Sequence, residues 1–364
     1  MKANDCISKI APYQPGRPID DVKREFGLEE VFKLASNENP LGPPASAVEA
    51  VRIAALKANI YPDGYAYDLR MALSERYNLK PYNFIFGAGA NEIIKLLSLT
   101  YLSPGDEIIV PKPSFSEYDR LATLCGATCK AVPLTHGYRL DLPAMAAAIS
   151  TRTRFLYICC PNNPTGTVVD RRELLKMLHR IGPEIMVIMD EAYFEFIDDP
   201  EAPNGVEFFR EFPNIVVMRT FSKAYGLAGL RVGYAVAQKE IADAINRVRE
   251  PFNVNALALA AALAALQDKE YLKKSVHYNR VEREFMTAEL RKAGYAVVDS
   301  QANFILVEVG QNCRKVFDGL QRRGVITRPA DIFGYPTKLR VSIGLHEENK
   351  AFLDALADYM GAGH

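Results

Sequence analysis

The chain has 364 residues, which is enough for two lobes because single hydrophobic cores stop growing at about 250–300 residues. Its 44 basic and 44 acidic residues balance, which disfavours the positively charged surfaces of proteins that bind nucleic acids or anionic membranes. The amino terminus has no apolar stretch of signal-peptide length, and the most apolar stretch, residues 256–266, is about half as long as a bilayer span requires. We therefore expect a cytoplasmic protein whose partners are small molecules.

The cysteines and histidines show no metal-binding pattern. The six cysteines form no CxxC pair, and the five histidines form no HxxxH pair. The spacing therefore predicts free thiols and no metal site.

The predicted elements begin with an arm, residues 1–32, that packs on a small domain or on a partner subunit. From Phe84 to Ala237, short apolar runs alternate with segments of helical periodicity. The runs are FIF, EIIVP, RFLYICC, IMVIMD, NIVVMRT and RVGYAVA, and helical segments include NEIIKLLSLTYL and RRELLKMLHRI. Runs that are apolar throughout indicate strands covered on both faces. The predicted fold class is α/β, with a mostly parallel central sheet covered by helices.

The pattern changes after Arg249. Residues 256–266 and 268–292 are predicted to form long helices. Beyond Gly294 the order is strand (NFILVEV), helix (CRKVFDGLQRRG), strand (GVITR), strand (LRVSIGL) and helix (ENKAFLDALADYM), which predicts a compact α+β domain. The chain is accordingly divided into the arm 1–32, a large domain 33–265 and a small C-terminal domain 266–364.

Residues that follow the apolar runs are candidates for a site, because ligands of such sheets bind beyond the carboxyl ends of the strands. Asn91 opens a helix after a Gly-Ala-Gly turn, and a helix amino terminus attracts phosphate, although a plain turn and cap is the alternative. Phe115 and Tyr118 follow the next run, where aromatic rings serve either core packing or a planar ligand. Asn163 lies in the segment PNNPTG, which is either a structural turn or a source of amide donors.

Charged side chains follow the last runs. One run ends in Asp190, with Tyr193 close behind, and a carboxylate at a buried strand end is costly without a partner. Ser222 and Lys223 follow the next run, and Arg231 comes shortly after. Asp190 alone has a structural explanation as an N-cap or ion pair. Together these residues predict a site for an anionic, aromatic cofactor that is held covalently, and pyridoxal phosphate fits each part.

Several segments of the chain resemble those of a known family. The segments that carry the resemblance are LASNENPLGPP, YPDGYAYDLR, PNNPTG, DEAYFEF, TFSKAYGLAGLRVGY, REPFNVNALALAAALAALQD and LRVSIGLHEEN. They are similar to those of the histidinol-phosphate aminotransferases, which are dimeric fold-type-I pyridoxal-phosphate enzymes. The resemblance covers residues 10 to 360 and implies transamination between histidinol phosphate and 2-oxoglutarate in histidine biosynthesis.

The resemblance also implies roles for individual residues. Lys223 would bind the cofactor covalently and later move a proton, and Asp190 would keep the pyridine nitrogen protonated. Asn163 and Tyr193 would bond the ring hydroxyl, and Phe115 would stack on the ring, with Tyr118 as the alternative because the family often has tyrosine at the position of Phe115. The cofactor phosphate would be held by Ala90, Asn91, Thr220, Ser222, Arg231 and, from the neighbouring subunit of a homodimer, Tyr61.

The resemblance also implies that a second group of residues binds the substrate. Arg340 in KLRVSIG would bind the substrate anion, a carboxylate or a phosphate, since a guanidinium suits both. Arg328 and Tyr13 match positions that line the same end of the pocket, and Asn163 would also face the substrate. For Arg328 a plain surface arginine is the alternative.

Other functions stay open. An aromatic aminotransferase acting on phenylalanine or tyrosine would use the same scaffold. Threonine-phosphate decarboxylase is similar in several of the same motifs, but it releases CO2 where an aminotransferase removes a proton. A non-enzymatic binding module would have no reason to keep both Lys223 and Asp190.

Overall fold

The computed structural model describes residues 6–10, 12 and 16–362. The strands are β1 (Phe32–Lys33), β2 (Phe84–Gly87), β3 (Glu107–Lys112), β4 (Thr128–Pro133), β5 (Thr153–Cys159), β6 (Met186–Asp190), β7 (Ile215–Thr220), β8 (Gly233–Val236), β9 (Phe304–Glu308), β10 (Val325–Ile326), β11 (Arg328–Pro329) and β12 (Lys338–Ser342). The helices are α1 (Ile19–Phe26), α2 (Ala45–Ala55), α3 (Tyr67–Tyr77), α4 (Ala90–Tyr101), α5 (Glu117–Leu124), α6 (Leu142–Ala147), α7 (Arg171–Leu178), α8 (Gly205–Phe209), α9 (Lys239–Val248), α10 (Ala256–Gln267), α11 (Lys269–Lys292), α12 (Cys313–Gln321) and α13 (His346–Gly361). Short 3₁₀ turns occupy Ile7–Lys9, Pro81–Asn83, Phe194–Phe196, Ala228–Leu230 and Asp331–Phe333.

The large sheet has seven strands in the order β2-β8-β7-β6-β5-β3-β4. Neighbouring strands are parallel except at β8, which runs antiparallel to both β2 and β7. Helices cover both faces, and every residue of β2, β6, β7 and β8 is buried. This burial explains the continuous apolar runs, and the predicted mostly parallel α/β fold is confirmed.

One strand of the large sheet was not predicted. β4 lies at the edge of the sheet beside β3, and all of its residues except Val132 are partly or fully exposed. Its sequence, TCKAVP, therefore includes the polar residues Thr128 and Lys130, because an edge strand buries less of its surface than a central one. The continuous apolar signal that marks the inner strands is absent here for that reason.

The carboxyl ends of the central strands lie level with one another. In the register of β5 and β6, Cys159 is opposite Asp190, and in the register of β6 and β7, Asp190 is opposite Met218. Asp190 is the last residue of β6, and Asn163 and Lys223 follow the ends of β5 and β7. Strand register therefore brings residues that are far apart in sequence to a single edge of the sheet.

The carboxyl-terminal part of the chain forms a three-stranded antiparallel sheet in the order β11-β12-β9. The helices α11, α12 and α13 contribute to the core beside it. An early segment joins this lobe, because β1 pairs with β10 in parallel and Leu34 lies in the same core. Residues 36–39 then lead from this lobe toward the edge of the large sheet.

Neither a membrane-spanning helix nor a metal-binding cluster occurs among the described residues. No helix in that part of the chain has both the length and the apolar character needed to cross a bilayer. Within the same ranges, no three histidine, cysteine, aspartate or glutamate side chains come together in a way that could hold a metal ion.

Candidate active site

A cavity of about 380 Å³ lies at the carboxyl edge of the large sheet. Ten of the residues singled out from the sequence line it, namely Ala90, Asn91, Phe115, Asn163, Asp190, Tyr193, Thr220, Ser222, Lys223 and Arg231. The strand-end reasoning thus placed most of its candidates in one cavity. Their individual roles follow from their surroundings.

Lys223 lies just beyond β7, with its ammonium group held by main-chain carbonyls. Its Nζ donates to the carbonyl oxygens of Ser36 and Asn37, each at 3.1 Å. Burial, reinforced by the positive charge of Arg340, lowers the pKa of Lys223 to about 8. About a tenth of this amine is therefore neutral at pH 7, and the neutral form is the one that can act as a nucleophile.

Asp190 ends β6 and is only 4% exposed. Its Oδ2 accepts from the hydroxyl of Tyr118 at 2.5 Å, and its Oδ1 accepts from the backbone N–H of Ala192 at 3.1 Å. Burial raises the pKa of Asp190, and these two hydrogen bonds oppose the rise. Since both donors are uncharged, a cation entering the cavity would supply the counter-charge that this carboxylate needs to stay ionised.

One end of the cavity is suited to an anion. The amino terminus of α4, at Ala90, points N–H groups and a positive dipole end toward it, and the hydroxyls of Thr220 and Ser222 lie 3.0 Å apart beside it. The guanidinium of Arg231 packs on the backbone of Gly89, where an added Cβ would come within 2.5 Å of Nη2. Gly89 has a φ of 81°, so both space and backbone conformation favour glycine there.

At the other end, Asn163 and Tyr193 are held by side chains from distant segments. Nη1 of Arg340 donates to Oδ1 of Asn163, and Nη2 donates to the carbonyl of Ala35, both at 2.7 Å. The hydroxyl oxygen of Tyr193 accepts from Nδ2 of Asn37 at 3.0 Å. Burial raises the pKa of Tyr193 to about 12, although the charge of Arg340 opposes the rise, so this phenol is protonated at neutral pH.

The two candidates for an aromatic wall occupy different places. Phe115 lines the cavity. Tyr118 is 1% exposed and stacks on Tyr157, with ring centroids 4.2 Å apart. Its hydroxyl is used by Asp190, so the geometry favours Phe115 as the ring that faces a ligand.

Of the other predicted residues, Arg340, Tyr61 and Arg328 are not among those that line this cavity, although Arg340 contacts Asn163, which does. Tyr61 is 80% exposed and stacks on Phe252 with centroids 4.8 Å apart. Arg328 is the cross-strand partner of Arg340 in the pair β11–β12, which puts the two side chains on the same face of that sheet. Tyr13 lies outside the described residues.

Sequence reasoning missed the part played by Asn37. It is 1% exposed, has a φ of 54°, and contacts both Lys223 and Tyr193. The signal in the sequence was the polar segment SNEN, which follows VFKLA at β1.

A buried ion pair was also missed. Glu191 and Arg219 lie 2.7 Å apart, and the guanidinium of Arg219 sits 3.6 Å from the ring centroid of Phe194. Glu191 directly follows Asp190, the last residue of β6, so this pair ties that strand end to the end of β7, which leads to Lys223. The sequence signal for this ion pair was the position of Glu191 and Arg219, each next to the end of an apolar run.

The donor set fits a phosphorylated pyridine aldehyde. The cavity has an anion-binding end at α4, an amine that can be neutral, and a carboxylate without a charged donor. Pyridoxal phosphate carries a phosphate, an aldehyde and a ring nitrogen that match these groups.

Comparisons with known proteins agree with this geometry. The sequence model of the family described as aminotransferase class I and II matches residues 29–356. A histidinol-phosphate aminotransferase of Moorella thermoacetica is 46% identical over 99% of this chain and 93% of its own length. One from Caldicellulosiruptor saccharolyticus is 43% identical over 98% of this chain and 99% of its own length.

A solved structure of a histidinol-phosphate aminotransferase is also similar to this chain. The histidinol-phosphate aminotransferase of Sinorhizobium meliloti, determined in complex with pyridoxal-5'-phosphate, superposes with a TM-score of 0.91 at 25% identity, covering 99% of this chain and 98% of that one. The chain belongs to the class I and II aminotransferase family. Within that family, its similar relatives are histidinol-phosphate aminotransferases, so the resemblance carried by the sequence motifs is confirmed.

Proposed function

We propose that the chain is a pyridoxal-phosphate-dependent aminotransferase that exchanges an amino group between histidinol phosphate and 2-oxoglutarate, giving imidazole-acetol phosphate and glutamate. The observation that carries the proposal is one cavity in which a partly neutral lysine, a buried carboxylate and an anion-binding helix terminus face the same space. The names of the relatives support the choice of substrates. A role in histidine biosynthesis and a cytoplasmic location belong to the same proposal.

The chain's own residues would hold the cofactor as follows. The amino terminus of α4 with Arg231, Thr220 and Ser222 would grip the phosphate, and Phe115 would cover one face of the ring. Asp190 would pair with the ring nitrogen. The bound cofactor would supply an electron-withdrawing ring that stabilises negative charge on the substrate carbon that loses its proton.

Lys223 would serve twice in the reaction. Its neutral amine would hold the cofactor covalently by condensing with the aldehyde, with loss of one water. When its amine is free again, Lys223 would act as the base that takes the proton from the substrate carbon and as the acid that delivers it to the acceptor carbon. Asn163 and Tyr193 would hold the ring oxygen, which orients the ring toward Lys223.

Arg340 would bind the substrate anion. The planar guanidinium can form paired hydrogen bonds with a carboxylate or a phosphate. The substrates of the two half-reactions carry these two anions, so one arginine would serve both. Arg328, on the same sheet face as Arg340, would add positive charge for the larger phosphate group, and Tyr13 would contribute from the arm.

A homodimer with shared sites is part of the proposal. Tyr61 lies in a region rich in exposed apolar side chains, which include Ile53, Leu56, Ile60, Tyr65 and Phe252. Exposed apolar patches of this kind mark protein interfaces. In a dimer, Tyr61 would reach the cofactor phosphate of the neighbouring subunit.

A substrate panel tests the proposal. Purified protein is loaded with pyridoxal phosphate and given histidinol phosphate, phenylalanine or threonine phosphate, with 2-oxoglutarate as acceptor where transfer is measured. We expect the highest kcat/KM for histidinol phosphate, and borohydride reduction should fix the cofactor on Lys223 but not on a Lys223→Ala chain. A higher kcat/KM for phenylalanine would instead identify an aromatic aminotransferase, and CO2 from threonine phosphate a decarboxylase.

The role of Arg328 is tested on the same panel. Arg328→Ala should lower kcat/KM for histidinol phosphate about 10–100-fold, the effect of removing a charged hydrogen-bond donor, and affect phenylalanine much less. An equal loss for both substrates would show that Arg328 has no phosphate-specific role.

A further inference from the structure

Asn37 connects the two lobes at the site. Its backbone N–H donates to Oγ of Ser342 at 2.8 Å, and its carbonyl oxygen accepts from Nδ2 of Asn303 at 3.0 Å. Ser342 and Asn303 belong to the smaller sheet region, whereas Tyr193 and Lys223, which Asn37 also contacts, follow strands of the large sheet. Asn37 is therefore in contact with both the reactive side chains and the lobe that carries Arg340.

The hydrogen bonds fix the orientation of the Asn37 amide. The hydroxyl oxygen of Ser342 accepts from the backbone of Asn37, so the Ser342 hydrogen is left to donate to Oδ1 of Asn37, at 3.0 Å. With Oδ1 taken by Ser342, the Nδ2 group of the same amide faces Tyr193 and donates to its hydroxyl oxygen.

This orientation decides what Tyr193 can offer a ligand. A phenol has a single hydrogen, and because its oxygen already accepts from Asn37, that hydrogen is available to the cavity. Asn163 behaves in the same way, because its Oδ1 accepts from Arg340 and its N–H groups remain as donors. The Tyr193 hydroxyl, whose oxygen accepts from Asn37, and the Asn163 amide, whose oxygen accepts from Arg340, can thus both donate to one acceptor in the cavity.

We propose that Asn37 is a positioning residue for the reaction, which makes Tyr193 a hydrogen-bond donor to the ring oxygen of the bound cofactor. The inference rests on the proposed function, since it requires bound pyridoxal phosphate. A donor to that oxygen stabilises its deprotonated form and lowers the pH at which the visible absorption of the bound cofactor changes. Ser342 extends the effect to the smaller lobe, because its hydroxyl orients the Asn37 amide.

The backbone of Asn37 suggests the right variant. Its φ of 54° lies in the left-handed region, which glycine adopts without strain. Asn37→Gly therefore keeps the backbone path and its hydrogen bonds while removing the amide. A shift in cofactor absorption would then report the lost side chain rather than a distorted loop.

The test is a double-mutant cycle read by absorption. Asn37→Gly, Tyr193→Phe and the double variant are loaded with pyridoxal phosphate, and the pH midpoint of the visible band is measured for each and for the wild type. We expect Asn37→Gly to raise the midpoint by about one pH unit, the size of one hydrogen bond to a charged acceptor. In the Tyr193→Phe background the same change should add almost nothing, because the two residues act through one bond.

Two controls separate the explanations. Asn39→Ala removes hydrogen bonds to the backbone of Lys223 and Ala224 in the same segment but does not touch Tyr193, so it should leave the midpoint in place. If the glycine variant does not fold, Asn37→Asp takes its place, since aspartate also tolerates positive φ and its carboxylate would draw the Tyr193 hydrogen away from the cavity. Most of its upward shift should then disappear in the Tyr193→Phe background.

The possible failures are distinct. A wild-type chain that shows no visible band and no borohydride-fixed cofactor contradicts the proposed function itself. A wild type that binds the cofactor, combined with an Asn37 variant whose midpoint is unchanged, overturns only the role of Asn37. A shift of equal size with and without the Tyr193 hydroxyl overturns it too, because Asn37 would then act by another route.

Discussion

The hydroxyl of Tyr118, on α5, donates a 2.5 Å hydrogen bond to Oδ2 of Asp190, at the end of β6. Tyr118 is 1% exposed and Asp190 is 4% exposed, so water has almost no part in this contact. Burial raises the pKa of the carboxyl group, and the Tyr118 hydrogen bond is the main effect that opposes the rise. Tyr118 therefore helps to keep Asp190 ionised, as pairing with a cofactor nitrogen requires.

Tyr118→Phe should weaken cofactor binding while keeping the ring in place. The variant removes a donor to a buried charge, which costs about 1.5 kcal/mol and corresponds to about a tenfold higher Kd for pyridoxal phosphate. Because the pKa of Asp190 rises further, the loss of binding on acidification should begin at a higher pH than in the wild type. Absorbance titration of cofactor-free protein at several pH values measures both effects.

Tyr157→Phe is the matched control for this prediction. Tyr157 stacks on Tyr118 and is equally buried, but Asp190 accepts from Tyr118 and Ala192 instead. Equal effects of the two variants on cofactor affinity would mean that general packing, rather than the hydrogen bond, accounts for the loss.

Attachment of the cofactor should follow the titration of Lys223. Its pKa of about 8, lowered from 10.5 mainly by burial, means that the neutral amine falls about tenfold for each pH unit below that value. The rate at which pyridoxal phosphate becomes fixed by borohydride should rise to about pH 8 and then level off. A rate that keeps rising to the pH at which an exposed lysine titrates would contradict a buried, activated amine.

The lowered pKa of Lys223 also affects the stability of the cofactor-free protein. Because the pKa of Lys223 is lower in the folded chain, the unfolded chain binds more protons between about pH 8 and 10.5. The free energy of unfolding of the cofactor-free protein should therefore gain a contribution from this residue as the pH rises through that window. Urea unfolding of the wild type and Lys223→Met at both ends of the window isolates the contribution.

Gly89→Ala should disturb the anion-binding end selectively. A Cβ at this position would come within 2.5 Å of Nη2 of Arg231, so the guanidinium must move away from the amino terminus of α4. We expect at least about a tenfold loss of affinity for pyridoxal phosphate, the effect of removing one charge-assisted hydrogen bond. Affinity for pyridoxal, which lacks the phosphate, should change little.

Gly105→Ala controls for backbone strain. Gly105 also has a positive φ, 97°, but an added Cβ would meet no atom within 4 Å. Both variants should lose more than about 1 kcal/mol of stability from the unfavourable conformation, and only Gly89→Ala should lose phosphate-dependent affinity. A loss of equal size for pyridoxal and pyridoxal phosphate would exclude a specific effect on Arg231.

The parts of this molecule that could be predicted from the sequence depend on local signals. The inner strands are buried on both faces, so continuous apolar runs revealed them, and the residues after the runs line the cavity. The edge strand β4 gave no such signal, because most of its residues are partly or fully exposed. The contacts of Tyr118 with Asp190 and of Asn37 with Tyr193 join residues that are 72 and 156 positions apart. They depend on side-chain directions that only the packed structure determines.

Tyr61 provides a test of shared sites. It is 80% exposed in the single chain and stacks on Phe252, so it has no direct effect on the cavity of its own subunit. If it completes the site of a neighbouring subunit, Tyr61→Ala should lower phosphate-dependent cofactor affinity about tenfold, the effect of losing one hydrogen bond to a charged group. Gel filtration, run alongside, shows whether the variant still dimerises.

Mixing two defective chains makes this prediction decisive. Lys223→Ala chains retain Tyr61, and Tyr61→Ala chains retain Lys223, so a hybrid dimer contains one site with both residues intact. Random pairing of equal amounts yields hybrids in about half of the dimers, so about a quarter of the sites should recover wild-type affinity for pyridoxal phosphate. Differently tagged chains allow the hybrids to be isolated before the measurement. Hybrids that form but recover no high-affinity site would show that each subunit binds its cofactor without Tyr61 of its neighbour.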